Sequence, residues 1–535
     1  MDIKSYTIKL ILTGIILCLN LSAFTQTYEW ENASFAKTVN NYIPRSKIAI
    51  TNDNHKLFAG QFEQSMDYKG ITLTSALGYG SFVAMLDEND SLLWIRKFSE
   101  NNLGVGGVNF IEVFDANYFY INIHIKDSVF VENQLYIANQ TVPSYHKNLI
   151  LKFDMNGNVI DDFYLDGTCF NFITDIYLDI EKNTYISGDY GNDTWSTTSN
   201  CTCIFDNQTF TTTKANLFLA KYDSLGNLIW INTFGDNKYI GSNRISVIDD
   251  AIYMSGSNMY ASDIDFGSFT LTYPSNYDNG AFMAKFDTSG NFKWAKYYGV
   301  KGWDSNVGPK DLIALSANKI IVCGSVRTQS ESTHLYFQNS SALTRNSSGS
   351  EFNYFIICYD SLGNIVWKDL ALCNGDDYLT SMTTNEDNIL FATGQYNEKM
   401  LFGNDTLPFS YDRLFVAAFD SIGTKLWAKD IGGGGGNSGV DIEIDGDDNL
   451  YINGWTTANP TIVGDSSYTI NGPSVFIAKM VPSIISSTTN IQAVNPNKEL
   501  LKIVGILGKE SKSQSNVLLF YIYSDGTVEK RIVIE

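Results

Sequence analysis

One phrase recurs along this chain and limits what it can fold into more than any other feature. It reads FVAMLDENDSLLWIRKF from Phe82, LILKFDMNGNVIDDFYL from Leu149 and FLAKYDSLGNLIWINTFG from Phe218. It returns as FMAKFDTSGNFKWAKYYG from Phe282, FIICYDSLGNIVWKDL from Phe355 and FVAAFDSIGTKLWAKDIG from Phe415, and a seventh copy, FIAKM from Phe476, stops halfway. Intervals run from 60 residues (Phe355 to Phe415) to 73 (Phe282 to Phe355). A second phrase lies between the copies: LFAGQF at 57, TYISGDY at 184, IYMSGSN at 252, IIVCGSV at 320, ILFATGQY at 389 and LYINGW at 450, with a degenerate YFYINIHI from Tyr118. Units of this size do not bury both faces of a sheet alone, so the repeats must stack on one another.

Each phrase has a mechanical reading. FLAKYD alternates large and small apolar residues, the pattern of a strand packed on both faces. Asp-x-x-Gly-Asn turns the chain, because Asp bonds its own backbone and Gly supplies a positive φ. The returning strand carries a Trp: Trp94, Trp230, Trp294, Trp367 and Trp427. With the second phrase and the apolar run before it, one repeat makes four antiparallel strands. The last repeat lacks its fourth, and Tyr28-Glu29-Trp30-Glu31-Asn32-Ala33 aligns with the KLWAKD segment around Trp427. Closing a ring with that strand removes two sheet edges at once. The expectation is an all-β fold: a seven-bladed β-propeller closed by its N-terminal strand.

The repeats resemble the bacterial seven-bladed propeller-repeat family with the phrase FVAKYDxxGNxLW, over about residues 28–481. That family shares a fold and no common activity, so the resemblance implies no chemistry. Copy two departs from it with Asp161 in the Trp position, and its outer strand is expected to be wet or displaced.

Both ends read as addresses. Residues 1–25 fit a secretory signal peptide, with Lys4 and Lys9 before an apolar stretch and Ala23 and Thr25 before the cleavage point. No other segment is long and apolar enough for a membrane helix, so an integral membrane protein is not expected. After a Ser/Thr-rich linker (482–495), residues 496–535 read as three strands, Leu500–Leu507, Leu518–Tyr523 and Val528–Ile534, the last two joined by a turn at 524–527. The pieces LKIVGILGKES, FYIYSDGTVEKR and IVIE resemble the C-terminal type A sorting domain of the Bacteroidota type IX secretion system. The resemblance implies a small β-sandwich-like sorting domain, type IX machinery as a partner, and a protein secreted or anchored at the outer-membrane surface. The propeller then occupies 26–481.

Composition excludes one partner class. Lys plus Arg number 37 against 58 Asp plus Glu, a formal charge of −21, and such a surface repels nucleic acid. Catalytic signatures are thin. His55, His124, His146 and His334 stand singly, with no His-Glu-x-x-His and no Gly-x-Ser-x-Gly, so no catalytic residues are assigned. Asp445-Gly446-Asp447-Asp448-Asn449 and Asp154-Met155-Asn156-Gly157-Asn158 space oxygen ligands as calcium loops do, but hairpin turns need the same residues. Turn chemistry is the expectation, with a structural calcium ion the alternative, and no other cofactor is implied.

Two sets of residues remain. An exported location permits a disulfide from Cys169 to Cys201 or Cys203. Three tryptophans break the repeat, Trp195, Trp303 and Trp455, and all fall on the face that carries the long, variable loops. Packing of the insertions is the expected role of these residues, and ligand contact is the alternative. They are the first candidates for ligand binding, since loops on a rigid scaffold are where binding concentrates. The favoured function is a secreted or surface-displayed module binding glycan or protein. A propeller hydrolase or lyase acting on polysaccharide, and a structural surface-layer component, are the alternatives.

Overall fold

The computed structural model describes residues 27–38, 46–100, 108–113, 115–125, 128–131, 134–137, 147–191, 200–206, 208–237, 240–301, 305–327, 332–346, 351–371, 375–470, 472–483, 500–505, 518–523 and 528–532. The expected signal peptide and most of the expected linker lie outside them. Contacts divide the chain into two units, Met1–Ser483 and Ile484–Glu535.

In the first unit each repeat is a four-stranded antiparallel meander. Repeats two to six form five separate sheets of four to six strands in a propeller-like arrangement, and repeats one and seven share a ten-stranded sheet. The N-terminal strand Thr27–Thr38 pairs with Ser474–Ser483, from Thr27 opposite Ser483 to Lys37 opposite Ser474. Its far end also meets the first repeat, Lys37 opposite Asp67 and Thr38 opposite Met66. Those two pairs fuse what are otherwise a four-strand and a six-strand group.

The alternating apolar phrase does what its periodicity predicts. In Ala215–Tyr222, Leu217 and Leu219 enter the core shared with repeat four, while Phe218 and Ala220 enter the core shared with repeat two. The Asp-x-x-Gly-Asn turns close alike. Asp223 Oδ1 accepts the N–H groups of Leu225 (2.9 Å) and Asn227 (2.8 Å), and Asp360 does the same for Leu362 and Asn364.

The repeat tryptophans latch neighbours together. Trp94, Trp230 and Trp294 donate their indole N–H to carbonyls of Met155, Thr288 and Ser361, in the turn of the following repeat (2.9, 3.2 and 3.1 Å). Each ring lies over the turn glycine: a Cβ on Gly157, Gly290 or Gly363 would come within 2.9–3.1 Å of it, and one on Gly423 within 2.6 Å of Trp367. Gly is thus required twice, by φ near +80° and by the indole. Trp427 meets Tyr28 instead (ring centroids 5.6 Å), because the last repeat has no such turn.

Two further seams lack the latch. Asp161 pairs with Lys152 where the others pair Trp, its outer strand Val159–Tyr164 is formed but largely exposed, and a Cβ on Gly226 would meet nothing within 4 Å. At the closing seam, register corrects the sequence alignment by two residues. Asn32 pairs with Lys479 as Trp427 pairs with Ala418, whereas Trp30 sits opposite Met480 across the bulge and packs against Gly464.

The long insertions between second and third strands are largely hairpins that lap back onto the preceding repeat. Ser128–Val131 pairs with Phe98–Glu100, Phe337 and Tyr336 with Tyr298 and Gly299, and Asp265 with Gly235. Ile204 and Cys203 pair with Asp166 and Gly167, and Ile462 and Thr461 with Gly432 and Gly433. They cover sheet edges that would otherwise stand open.

The second unit holds a three-stranded antiparallel sheet, Leu500–Gly505, Leu518–Tyr523 and Val528–Ile532, with Leu519, Tyr521 and Tyr523 buried. The expected turn at 524–527 lies outside the described residues.

Candidate functional site

The innermost strands of all seven repeats contribute to one cavity of about 140 Å³. Its first layer is Lys47, Phe110, Asp175, Arg244, Asp311, Ser381 and Asp441, one residue per repeat. In repeats three to seven a β-bulge just before this position turns the side chain inward. Carboxylates on alternate repeats tie their neighbours. Asp175 accepts the N–H of Ile245 (2.8 Å) and pairs with Arg244 (3.1 Å), while Asp311 accepts the N–H of Met382 (2.7 Å) and lies 3.2 Å from the Ser381 hydroxyl oxygen. Asp441 accepts the N–H of Ile48 (3.2 Å) and the Ser381 hydroxyl (2.9 Å), and it pairs with Lys47 (3.3 Å). Burial pushes the Asp175 and Asp311 carboxyls up, although Arg244 opposes it. Burial also works against the Arg244 charge, but Asp175, Asp311 and Asp441 outweigh it and hold the guanidinium ionised.

One step along the same strands, Glu112, Tyr177 and Glu443 face the cavity. Burial, then the Asp175 charge, pushes Glu112 up to about 8. Burial, then Asp441 and Glu112, pushes Glu443 well above the carboxylate range. At neutral pH the axis therefore holds protons on carboxyls that would be ionised in water.

Cys169 is bonded to Cys201, with Cα atoms 4.8 Å apart, and Cys203 is buried outside that bond. Trp195 and Trp303 lie outside the described residues. Trp455 is half-buried against a core cluster that includes Ile48, Tyr451 and Val475. The two candidate calcium loops spend their leading carboxylate within the turn. Asp445 accepts the N–H groups of Asp447 and Asn449, and Asp154 those of Asn156 and Asn158.

Sequence reasoning missed a pocket of about 440 Å³ at the seam of repeats four and five, lined by Met259, Tyr260, Asp278, Asn279, Asn306 and Arg327, with Ser305 at its floor. Tyr260 takes the third place of a turn closed by the Ala261 N–H and the Asn258 carbonyl (3.1 Å). Its φ is +66°, and that of Ala261 is +40°. Glycine or asparagine is the usual occupant there, and a bulky residue costs about 1–2 kcal/mol. Yet the ring is 50% exposed, as Met259 beside it is 47% exposed, so burial does not offset the cost. Asn279 ties the two loops: it accepts the Tyr260 N–H (3.4 Å) and donates to the Ser305 carbonyl. Ser305 in turn donates to the carbonyl of Lys301, whose ammonium lies 4.3 Å from the centre of the Tyr336 ring. Arg327 stacks on Phe352 (4.9 Å).

No family model matches the chain. Over 206 residues, 34% of this chain, it is 26% identical to an uncharacterised WD repeat-containing protein, L264, of Acanthamoeba polyphaga mimivirus. The match takes in 14% of the viral protein, so the chain spans a small part of that relative's length. Among solved structures, a protein of unknown function from Dyadobacter fermentans DSM 18053 aligns over 86% of this chain and 98% of its own, with a TM-score of 0.33 and 7% identity. The chain is an all-β repeat protein of propeller-like architecture with a distant WD-repeat relative.

Proposed function

We propose that the chain is a seven-bladed propeller that serves as a secreted or surface-displayed binding module, with a C-terminal type IX sorting domain. The count of seven rests on the axial cavity, to which seven inner strands contribute, and on reading the ten-stranded sheet as two blades joined at Lys37 and Thr38. The binding role rests on one observation: a ring tied along its axis carries a preformed pocket with an exposed, conformationally costly tyrosine at its mouth. A fixed scaffold presenting such a site loses little entropy on binding. The WD-repeat likeness is in keeping with an interaction role and adds no ligand.

The test is retention of the purified chain on intact cells and on polysaccharide surfaces. Trp195→Ala, Trp303→Ala and Trp455→Ala are measured beside it for both binding and melting. A binding loss without a melting shift supports a site at that residue, whereas absence of retention on every surface overturns the module reading. Export is tested separately. Deleting residues 484–535 should leave a folded propeller in the periplasm of a type IX-competent host, and normal surface delivery would refute the sorting role.

A second reading has its own observation. Glu112 and Glu443 are raised carboxyls in one cavity, the chemistry a general acid needs in a hydrolase or lyase. Polysaccharide degradation that is lost in both Glu112→Gln and Glu443→Gln would favour it over the module.

A further inference from the structure

We infer that the pocket between repeats four and five is a saccharide site that takes a neutral sugar unit of a glycan. The inference rests on the binding-module reading and names the ligand class of that site.

The size comes first. About 440 Å³ lies within the range of small-ligand sites, roughly 300–1,000 Å³, and is too confined for a folded protein surface. The chemistry comes second. Asp278, Asn279, Asn306 and Arg327 all present planar carboxylate, amide or guanidinium groups. Such groups meet two neighbouring hydroxyls of a sugar ring with paired hydrogen bonds: the carboxylate accepts both, the guanidinium donates both, and each amide donates through one atom and accepts through the other. The charges balance: the lining holds one carboxylate, Asp278, and one guanidinium, Arg327, so it favours neither an anionic nor a cationic polymer. The chain's formal charge of −21 further disfavours uronate or sulfated chains.

The rim supplies the third element. Tyr260 offers an exposed aromatic face, and Met259 a polarizable apolar surface beside it. An aromatic face packs against the C–H side of a sugar ring while leaving its hydroxyls to the polar walls. Holding Tyr260 at φ +66° works against folding stability, and an observed strain of this kind points to a role at a binding site. The walls are braced from behind, because Asn279 joins both loops and Arg327 is stacked on Phe352. Preorganised walls are what a weakly binding, heavily hydrated ligand requires.

The experiment uses the full mature chain. Binding is measured to immobilised neutral hexose and N-acetylhexosamine oligomers, with oligouronates as the charged control. Tyr260→Gly and Asp278→Asn are compared with wild type, and melting temperature is recorded for each. The expected result is binding to a neutral oligomer that weakens at least tenfold in both variants. Tyr260→Gly should melt at or above the wild-type temperature, since glycine relieves the left-handed backbone. A tyrosine that merely packs would instead lower the melting temperature when removed. Neutral-oligomer binding unchanged in both variants overturns this pocket and leaves the module reading standing. Preference for oligouronates, or no oligosaccharide binding at all, overturns the saccharide assignment, while retention on cells decides the broader reading independently.

Discussion

Asp161→Trp should stabilise the protein by installing the latch that the second seam lacks. The receiving turn, Asp223-Ser224-Leu225-Gly226-Asn227, has the same sequence as Asp360 to Asn364, which receives Trp294. Position 161 pairs with Lys152 as Trp230 pairs with Lys221, so the register is already right. Gly226 lies open, with nothing within 4 Å of a Cβ placed there. A latch indole is about half-buried, hiding about 100 Å² of the roughly 200 Å² a Trp can hide. At about 25 cal/mol per Å² that gives about 2.5 kcal/mol. An N–H bond to the Ser224 carbonyl adds about 1 kcal/mol, and ordering the side chain removes about 1–2 kcal/mol. The net gain is about 1.5–2.5 kcal/mol. At about 2.1 cal/mol/K of unfolding entropy per residue, a ring of this size shifts by about 1 °C per kcal/mol, so the expected rise is about 2 °C. Differential scanning calorimetry resolves that, and Trp294→Asp, which removes an existing latch, should move the other way by about 2 °C. If Asp161→Trp melts at or below wild type while Trp294→Asp falls, the indole on the turn glycine is not what holds neighbouring repeats.

Gly363→Ala should cost clearly more than Gly226→Ala by urea titration. Both glycines sit near φ +80°, worth about 1–2 kcal/mol for any L-residue, but only at Gly363 does the new methyl meet an indole. Opening the Cys169–Cys201 bond, which spans 32 residues, should cost about 3–4 kcal/mol on chain-entropy grounds, read as a lower urea midpoint in reductant or in Cys169→Ser. Glu112 carries a folded-state pKa of about 8, above its unfolded value, so the folded protein binds the extra proton and stability falls as pH rises from about 4.5 through 8. Glu112→Gln should therefore flatten that fall, with its benefit over wild type greatest at pH 8 and absent at pH 4. Equal wild-type and variant slopes would place Glu112 in water.

The repeat phrases made the architecture legible because each carries its own physics. Alternating Phe218 to Tyr222 reports two buried faces, and Asp223 to Asn227 reports a turn. Register was less legible. Trp30 matched Trp427 by residue type, yet the bulge between Trp30 and Asn32 displaces it, and a bulge leaves no mark in composition. The axial ties were hidden for another reason: Asp175, Asp311 and Asp441 stand on strands 130–136 residues apart, and only closure brings them together. The pocket at Tyr260 escaped because its walls come from two repeats and three loops. The signal that pointed to it was small, a Tyr followed by Ala where a turn ordinarily carries Gly or Asn.

The three interlocks also explain why a chain with such uneven copies closes. The seam from repeat one to two has Trp94 on Gly157 and a lapped hairpin, but Phe110 breaks the axial chain of ties. At the closing seam Asn32 replaces the indole, while Asp441 holds Ile48 and Lys47 and the first repeat's hairpin reaches Thr38. The seam from two to three is poorest: Asp161 removes the latch, Phe110 the tie, and the hairpin pairs through only Asp166 and Gly167. It is there that Cys169 and Cys201 are joined, and there that Asn148 donates to the Asn171 carbonyl (2.7 Å). A ring opens at its weakest seam, because one broken interface frees both neighbours. A covalent bond that lowers the entropy of the opened state acts most where the non-covalent ties are fewest. The disulfide thus sits at the seam that has no Trp latch, and Asp161→Trp should make the bond less necessary to stability.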